Sequence, residues 1–407
     1  MASCRLCSSR EQGNKRSLPF VRFKHYGDAD TWSNAMLSSP GMRKFVSGDR
    51  MFFMLVLAIV LLGLAIFSSA ALGLLARESS SVSKDIMLQA GLGFGLGFLA
   101  LLIARAIPLV HIKRFAPYIY GASILFTALV FVPGIGLHAN GATRWISLGF
   151  TTVQPSEFLK IGFVIALAWW LTPRARQLSS YKSGLFPFII MLAIPTALLL
   201  AQPNTSTTLL IIVTGAVMYF AAGAPWRDFG ILALTAIIGL VIIAMIRPYV
   251  LERVKTFIDP SANSLSSGYQ IQQSLIAIGS GGLLGRGFGQ SVEKFNYLPE
   301  PDGDSVFAVF AEETGFLGAI FLLALFVALA ARGIVIAGDS RDLFGGLIAL
   351  GFSFIIIFQA FVNMCAMLGI IPLTGLPLPF VSHGGTALMA ALIMCGLILN
   401  VAAHRKN

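Results

Sequence analysis

The sequence predicts an all-α, polytopic membrane protein with about ten transmembrane helices and one large extracytoplasmic loop. Three observations carry this. Of 407 residues, 56% are hydrophobic and 12% charged, with a mean hydropathy of +0.82, so the average side chain prefers a nonpolar solvent and a disordered chain is excluded. Apolar runs of the ~20 residues that a helix needs to cross the hydrocarbon core recur from residue 52 to residue 403. No intervening polar block is large enough for a soluble domain. The ~10-residue alternating stretches of a membrane barrel are not seen.

The runs lie at 52–76, 87–104, 116–134, 155–172, 185–201, 205–222, 229–246, 305–331, 343–370 and 384–403. The first is too long, and its N-terminal flank too extended, for a cleaved signal peptide, so it reads as a retained span. In the second, Gly91, Gly93, Gly95 and Gly97 pair at i and i+4, which suits close helix packing. Residues 1–50 form a basic tail, 51–403 the membrane domain and 404–407 a C-terminal end. Ten crossings put both ends on one side, and most of the 29 Lys and Arg fall in that tail and the loops on its side, including Arg105, Lys113, Arg114, Arg174, Arg176, Lys182, Arg227, Arg332 and Arg341. Both ends are therefore expected to be cytoplasmic. The net charge of +11 is this topology signal plus attraction to anionic lipid, and no nucleic acid is required as partner. Cys4 and Cys7 stand in a C-x-x-C spacing, but no second pair follows to complete a zinc set. Cys365 and Cys395 lie inside apolar runs and make no disulfide framework.

Only one connection is long, residues 247–304, on the outer face by the charge distribution, and chemistry is expected there. Its glycine-rich stretch Gly279–Gly289 superficially matches a dinucleotide fingerprint but lacks the strand, the βαβ unit and the downstream acid. A tight turn, or a backbone approaching a substrate, fits better. The loop ends in Pro299-Glu300-Pro301-Asp302-Gly303-Asp304. Asp304 directly precedes the apolar stretch Ser305–Phe310, where burial raises a carboxylate toward the range of a general base. Glu312 and Glu313 follow deeper in the span, and at least one should face the bundle interior. In the fourth span Pro155 suits a first helical turn, and Glu157 and Lys160, at i and i+3, share a face. This ion pair either fixes helix packing or lines a polar path. Arg144 before it is a candidate for holding a phosphate. Gln359 and Asn363, at i and i+4, read as interhelical hydrogen-bonding residues. Arg253, Lys255, Arg286 and Lys294 share the large loop with Asp304. Cations beside a base suit deprotonation of a hydroxyl while a phosphate-bearing group departs.

At these residues the chain resembles the SEDS (shape, elongation, division and sporulation) family. The matching stretches are Asn140–Ile146, Gln154–Glu157 with Lys160, Gly268–Gln270 through Gln273-Ser274, Ile278–Gly282, and Pro372–Phe380 ending in Ser382–Gly385. The resemblance implies a peptidoglycan glycosyltransferase that polymerises lipid II outside the bacterial cytoplasmic (inner) membrane and releases undecaprenyl pyrophosphate. By it, Asp304 is the catalytic base acting with inversion at the donor sugar. Arg144, Arg253 and Lys294 hold pyrophosphate, and Gln270, Ser280 and Gly281 contact substrate. Glu157, Lys160, Asn363, Pro379 and Ser382 are structural or line the path. A divalent cation, Mg or Mn, is expected to assist, with no organic cofactor. Gly223–Trp226 and Leu298-Pro299-Glu300 are more similar to the division members than to the elongation members, which implies the septum, a class B penicillin-binding transpeptidase as partner, and other division proteins. The chain departs from the family at Gln202-Pro203-Asn204, where an acid usually follows the proline, at His383, where a tyrosine is usual, and at Pro301-Asp302-Gly303, which leaves Asp302 a share of the work. An elongation polymerase, a lipid II flippase and a non-catalytic scaffold stand as alternatives.

Overall fold

The computed structural model describes residues 49–75, 89–139, 142–147, 149, 152–246, 248–259 and 267–404. The basic tail with Cys4 and Cys7, the C-terminal residues 405–407, Arg77, Lys84, Arg247 and Asn140-Gly141 lie outside the described residues.

A helix occupies each of the ten apolar runs. These are α1 (Arg50–Leu75), α2 (Gly97–Ala106, preceded by a π-helical stretch Gln89–Leu96), α3 (Leu109–Ala128), α4 (Pro155–Arg174), α5 (Phe186–Ala201), α6 (Thr205–Ala221) and α7 (Trp226–Ile246). The loop helices α8 (Pro248–Ile258), α9 (Ser267–Ser280) and α10 (Glu293–Asn296) come next, and then α11 (Val306–Gly338), α12 (Leu343–Met367) and α13 (Gly385–Ala403). Among the described residues, seven helices are long and apolar enough to cross a membrane, and α2 and α6 are shorter apolar helices. The chain is a multi-span membrane protein.

Most residues of α4, α12 and α13 are buried, so these helices form the centre of the bundle. Around them α3 packs on α4, α11 on α12 and α1, and α2 on α13. The glycines of the second run differ in role. A Cβ on Gly97 would come within 2.8 Å of Leu392 on α13, whereas one on Gly91 would meet open space, so close packing holds at Gly97 and not at Gly91.

The chain is mostly helical as expected, and one small sheet accompanies the bundle. Residues 136–153 form a three-stranded antiparallel sheet, β1 (Gly136–Ala139), β2 (Ala142–Ser147) and β3 (Thr152–Val153), in the order β1-β2-β3. Gly136 pairs with Ile146, and Ile146 with Val153. Ala142 and Ile146 are buried while Thr143–Trp145 between them are partly exposed. A search for runs of membrane length does not register strands this short.

α11 kinks at Gly315, whose backbone (φ 68, ψ −167) only glycine adopts readily. The break frees backbone groups at membrane depth, and the glycine-rich loop satisfies them. Phe316 and Leu317 donate to the carbonyls of Gly282 (2.9 Å) and Leu283 (3.2 Å), and Arg286 and Gly287 donate to those of Glu312 and Glu313 (both 3.0 Å). Irregular backbone in a membrane is stable only when partnered in this way. Gly285, also at positive φ, packs so tightly that a Cβ would collide with the Glu313 carbonyl.

Candidate active site at Asp304

Asp304 ends a turn whose backbone is held from four directions. Glu300 adopts a left-handed conformation (φ 45), which lets its carbonyl accept from the amides of Gly303 (3.1 Å) and Ser305 (3.4 Å). The Ser305 hydroxyl donates to the Pro299 carbonyl (2.9 Å) and accepts from Gln270 of α9 (3.0 Å). From α12, the Asn363 amide donates to the carbonyls of Asp304 (2.9 Å) and Leu376 (2.8 Å). From the loop before α13, the Ser382 hydroxyl donates to the Gly303 carbonyl (2.7 Å) while accepting from the Leu378 amide (2.8 Å). His383 donates its backbone N–H to the Asp302 carbonyl (2.6 Å), and its ring Nδ1 lies 3.4 Å from Asp302 Oδ2.

Two arginines flank the carboxylate. Arg253 on α8 donates to the Thr374 carbonyl (3.3 Å). Arg144 on β2 donates to the carbonyls of Gln202 (3.4 Å) and Pro203. Gly375 sits between Asp304 and Arg253, where a Cβ would be 3.3 Å from Asp304 Oδ2 and 3.9 Å from an Arg253 nitrogen. Burial pushes the Asp304 carboxyl up from 3.8 to about 6; Glu300 adds to the rise, and Arg253 and Arg144 oppose it. A carboxylate in this range is ionised at neutral pH yet basic enough to take a proton from a hydroxyl in a transition state. The arginines are placed to meet negative charge as it develops beside it.

The structure brings Asp304, Arg144, Arg253, Gln270, Asn363 and Ser382 together. Pro379 lies deeper, with Glu157 and Lys160, along a cleft that Ser382 also borders. Three of the expected substrate contacts lie elsewhere. Lys294 is fully buried, 2.6 Å from Glu313 and 3.0 Å from the Ser69 hydroxyl of α1, so it pins α10 to the bundle and cannot hold pyrophosphate. Ser280 donates to the Ala277 carbonyl of its own helix (2.9 Å). Gly281 packs against the α11 backbone, where a Cβ would strike the Ala311 carbonyl. The glycine-rich stretch docks helices rather than lining a substrate path. At least one deep acid was expected inside, and both are buried, Glu313 with Lys294 and Glu312 with the Ser291 hydroxyl (2.5 Å) and the Val292 amide (3.0 Å).

Asn204, where the family's acid is expected, caps α6, accepting from the Thr207 amide (3.3 Å). Gln359 and Asn363 were expected to bond between helices. Gln359 does so to Lys160, but both also donate to carbonyls of the 374–382 loop. Gly375 lies in the family stretch Pro372–Phe380 and Gln202-Pro203 in the stretch noted as a departure, but neither signal shows that Gly375 sits beside Asp304 or that the Gln202 and Pro203 carbonyls accept from Arg144. Among the described residues, no group of three or more His, Cys, Asp or Glu side chains is arranged to hold a metal ion.

A membrane bundle that carries a turn-held carboxylate with a raised pKa between two arginines at one end has the features of a membrane-embedded group-transfer enzyme. Residues 49–407 match the FtsW/RodA/SpoVE family, described as cell cycle proteins. The chain is 32% identical over 366 residues to the probable peptidoglycan glycosyltransferase FtsW of Geobacter sp. (strain M18), covering 90% of this chain and all of that one. It is 33% identical over 376 residues to the peptidoglycan glycosyltransferase MrdB of Escherichia coli K12, covering 91% and 98%. One chain of a solved peptidoglycan synthase complex that coordinates polymerization and crosslinking superposes with a TM-score of 0.72 at 32% identity, over 88% of this chain and 98% of that one. The chain belongs to the FtsW/RodA/SpoVE family, the SEDS proteins.

Proposed function

We propose that the protein is a peptidoglycan glycosyltransferase that polymerises lipid II and releases undecaprenyl pyrophosphate. The observation that carries this reading is the Asp304 carboxyl, raised to about 6 and flanked by Arg253 and Arg144, in a chain whose relatives are named for that activity. Asp304 takes the proton of the acceptor sugar hydroxyl as its oxygen attacks the donor anomeric carbon. The new C–O bond forms on the face opposite the breaking C–O–P bond, so configuration inverts. The bond's electron pair leaves on the pyrophosphate, whose growing charge Arg144 and Arg253 stabilise. Gln270, Asn363 and Ser382 keep the base in position. Among the described residues no group of three or more His, Cys, Asp or Glu side chains could hold a divalent cation, so such an ion would be held mainly by the pyrophosphate itself, whose charge it would help neutralise.

The site lies at the bundle end that carries the 247–304 connection, which we place outside the bacterial inner membrane from the charge distribution, with both termini cytoplasmic. A septal role is favoured by the Gly223–Trp226 and Leu298–Glu300 stretches. The partner is then a class B penicillin-binding transpeptidase, a reading that the likeness to a complex coordinating polymerization and crosslinking supports. The test is lipid II polymerisation by the full chain with that transpeptidase, comparing wild type with Asp304→Ala and Asp304→Asn. Glycan strands from wild type and none from either folded variant are expected. Equal polymer from all three refutes the assignment, and translocation of lipid II without polymer by wild type supports the flippase.

A further inference from the structure

Below the catalytic turn runs a chain of buried polar contacts that the proposed reaction does not use. Lys160 on α4 lies 2.7 Å from Glu157 and donates to Gln359 Oε1 on α12 (2.8 Å). The other end of the same amide, Gln359 Nε2, donates to the Pro377 carbonyl (2.9 Å). Glu157, Lys160 and Gln359 are all at most 4% exposed. One helical turn on, Asn363 donates to the adjacent Leu376 carbonyl and to that of Asp304. Two amides on one face of α12 thus hold two successive carbonyls of the 374–382 loop. That loop reaches the active site at Gly375, beside Asp304 Oδ2, and at Ser382, bonded to Gly303.

A glutamine amide carries an acceptor at one end and donors at the other, and it can flip. A cation at Oε1 permits one orientation, the one that aims Nε2–H at Pro377. A buried ion pair contributes little net stability relative to apolar residues of the same volume, so holding helices together is a weak account of Glu157 and Lys160. Resting on the proposed function, we propose that Gln359 is a positioning residue for Asp304, and that the Glu157–Lys160 pair acts through it by fixing its amide so that the 374–382 loop holds the base in register.

The experiment is a double-mutant cycle on the full chain with its transpeptidase partner in bilayers, reading kcat and KM for lipid II, with melting temperature as a check on folding. Gln359→Met and Lys160→Met are each expected to lower kcat about 10- to 100-fold, the scale of a misplaced catalytic group, with KM within about twofold. The double variant is expected within about threefold of the worse single variant, since both changes break one relay. Single losses that multiply in the double variant overturn the proposal, as independent path-lining or packing roles predict, and so does a loss carried by KM. Should Gln359→Met fail to fold, Gln359→Leu decides, since it too removes both the acceptor for Lys160 and the donor to Pro377. It is expected to lose kcat to the same extent, and a wild-type kcat in it overturns the relay. An inactive wild type overturns the function on which the relay rests, whereas an active wild type silenced by Asp304→Asn, with Gln359→Met at full kcat, overturns the relay alone.

Discussion

If Asp304 is the base, its protonation sets the acidic limb of the rate profile, and the two charges nearest it should move that limb in opposite directions. In wild type kcat/KM, which reports the free enzyme, should rise with pH through a midpoint of about 6 and then level off. The position a Cβ would take on Gly375 lies 3.3 Å from Asp304 Oδ2 and 3.9 Å from an Arg253 nitrogen, so the two groups are no more than about 7 Å apart. At an effective dielectric of about 20 that separation corresponds to roughly 2.4 kcal/mol, and 1.36 kcal/mol moves a pKa by about one. Solvent at the mouth reduces the effect, so Arg253→Gln should move the midpoint to between about pH 7 and 8. Its plateau should also fall, because a phosphate contact is lost, but height and midpoint are read separately. Glu300→Gln should move the midpoint down, and by at least as much, since after burial the Glu300 charge acts on Asp304 more strongly than that of Arg253. The assay is lipid II polymerisation by the purified protein with its partner across pH, with melting curves to exclude unfolding. A midpoint that stays at 6 in Arg253→Gln, or rises in Glu300→Gln, would refute Asp304 as the titrating group.

Other expectations follow from the same contacts. The folded pKa of Asp304, about 6, exceeds the ordinary 3.9 or so of an unfolded chain, so ionising it costs stability above about pH 6 and costs none below about pH 4; Asp304→Asn should be more stable than wild type at pH 8, by at most about 3 kcal/mol, with the difference closing as pH falls. Lys294→Met strands Glu313 in the bundle and should cost about 3–5 kcal/mol, measured by thermal unfolding. Lys294→Met/Glu313→Gln should recover much of that loss, and the KM of the folded double variant should match wild type; a large KM rise would return Lys294 to the substrate site. Gly285→Ala forces a Cβ onto the α11 backbone at positive φ and should destabilise by more than about 2 kcal/mol. A melting temperature equal to wild type would show that the loop is not docked on the kink.

Much of the fold was legible because membrane crossing imposes a length and a polarity on the chain, and each of the ten runs coincides with a helix. The sheet at 136–153 was not, because four- and six-residue strands carry no comparable signal, and β2 is the strand that carries Arg144, whose charge acts on Asp304. Asp304 stood out as an acid at the edge of an apolar run. Lys294 was misread for a related reason, since a cation in a charged loop appears solvent-facing until Glu313, 19 residues on, folds back against it. Gly281 was misread because a glycine that approaches a substrate and one that approaches a helix look alike in sequence. Gln359 reads from its spacing as an interhelical hydrogen-bonding residue, as its bond to Lys160 shows, but nothing in that spacing shows that the loop 18 residues later returns to its amide.

The central claim is that Asp304 performs proton transfer while other groups hold the substrate. Its most direct test is a paired measurement on Asp304→Asn, of lipid II affinity and of glycosidic bond formation in a single turnover, with wild type alongside. The account predicts a Kd within about threefold of wild type, because the amide keeps the shape and the arginines remain, together with no detectable bond formation. Bond formation at the wild-type rate, or a loss explained entirely by weakened binding, would contradict it.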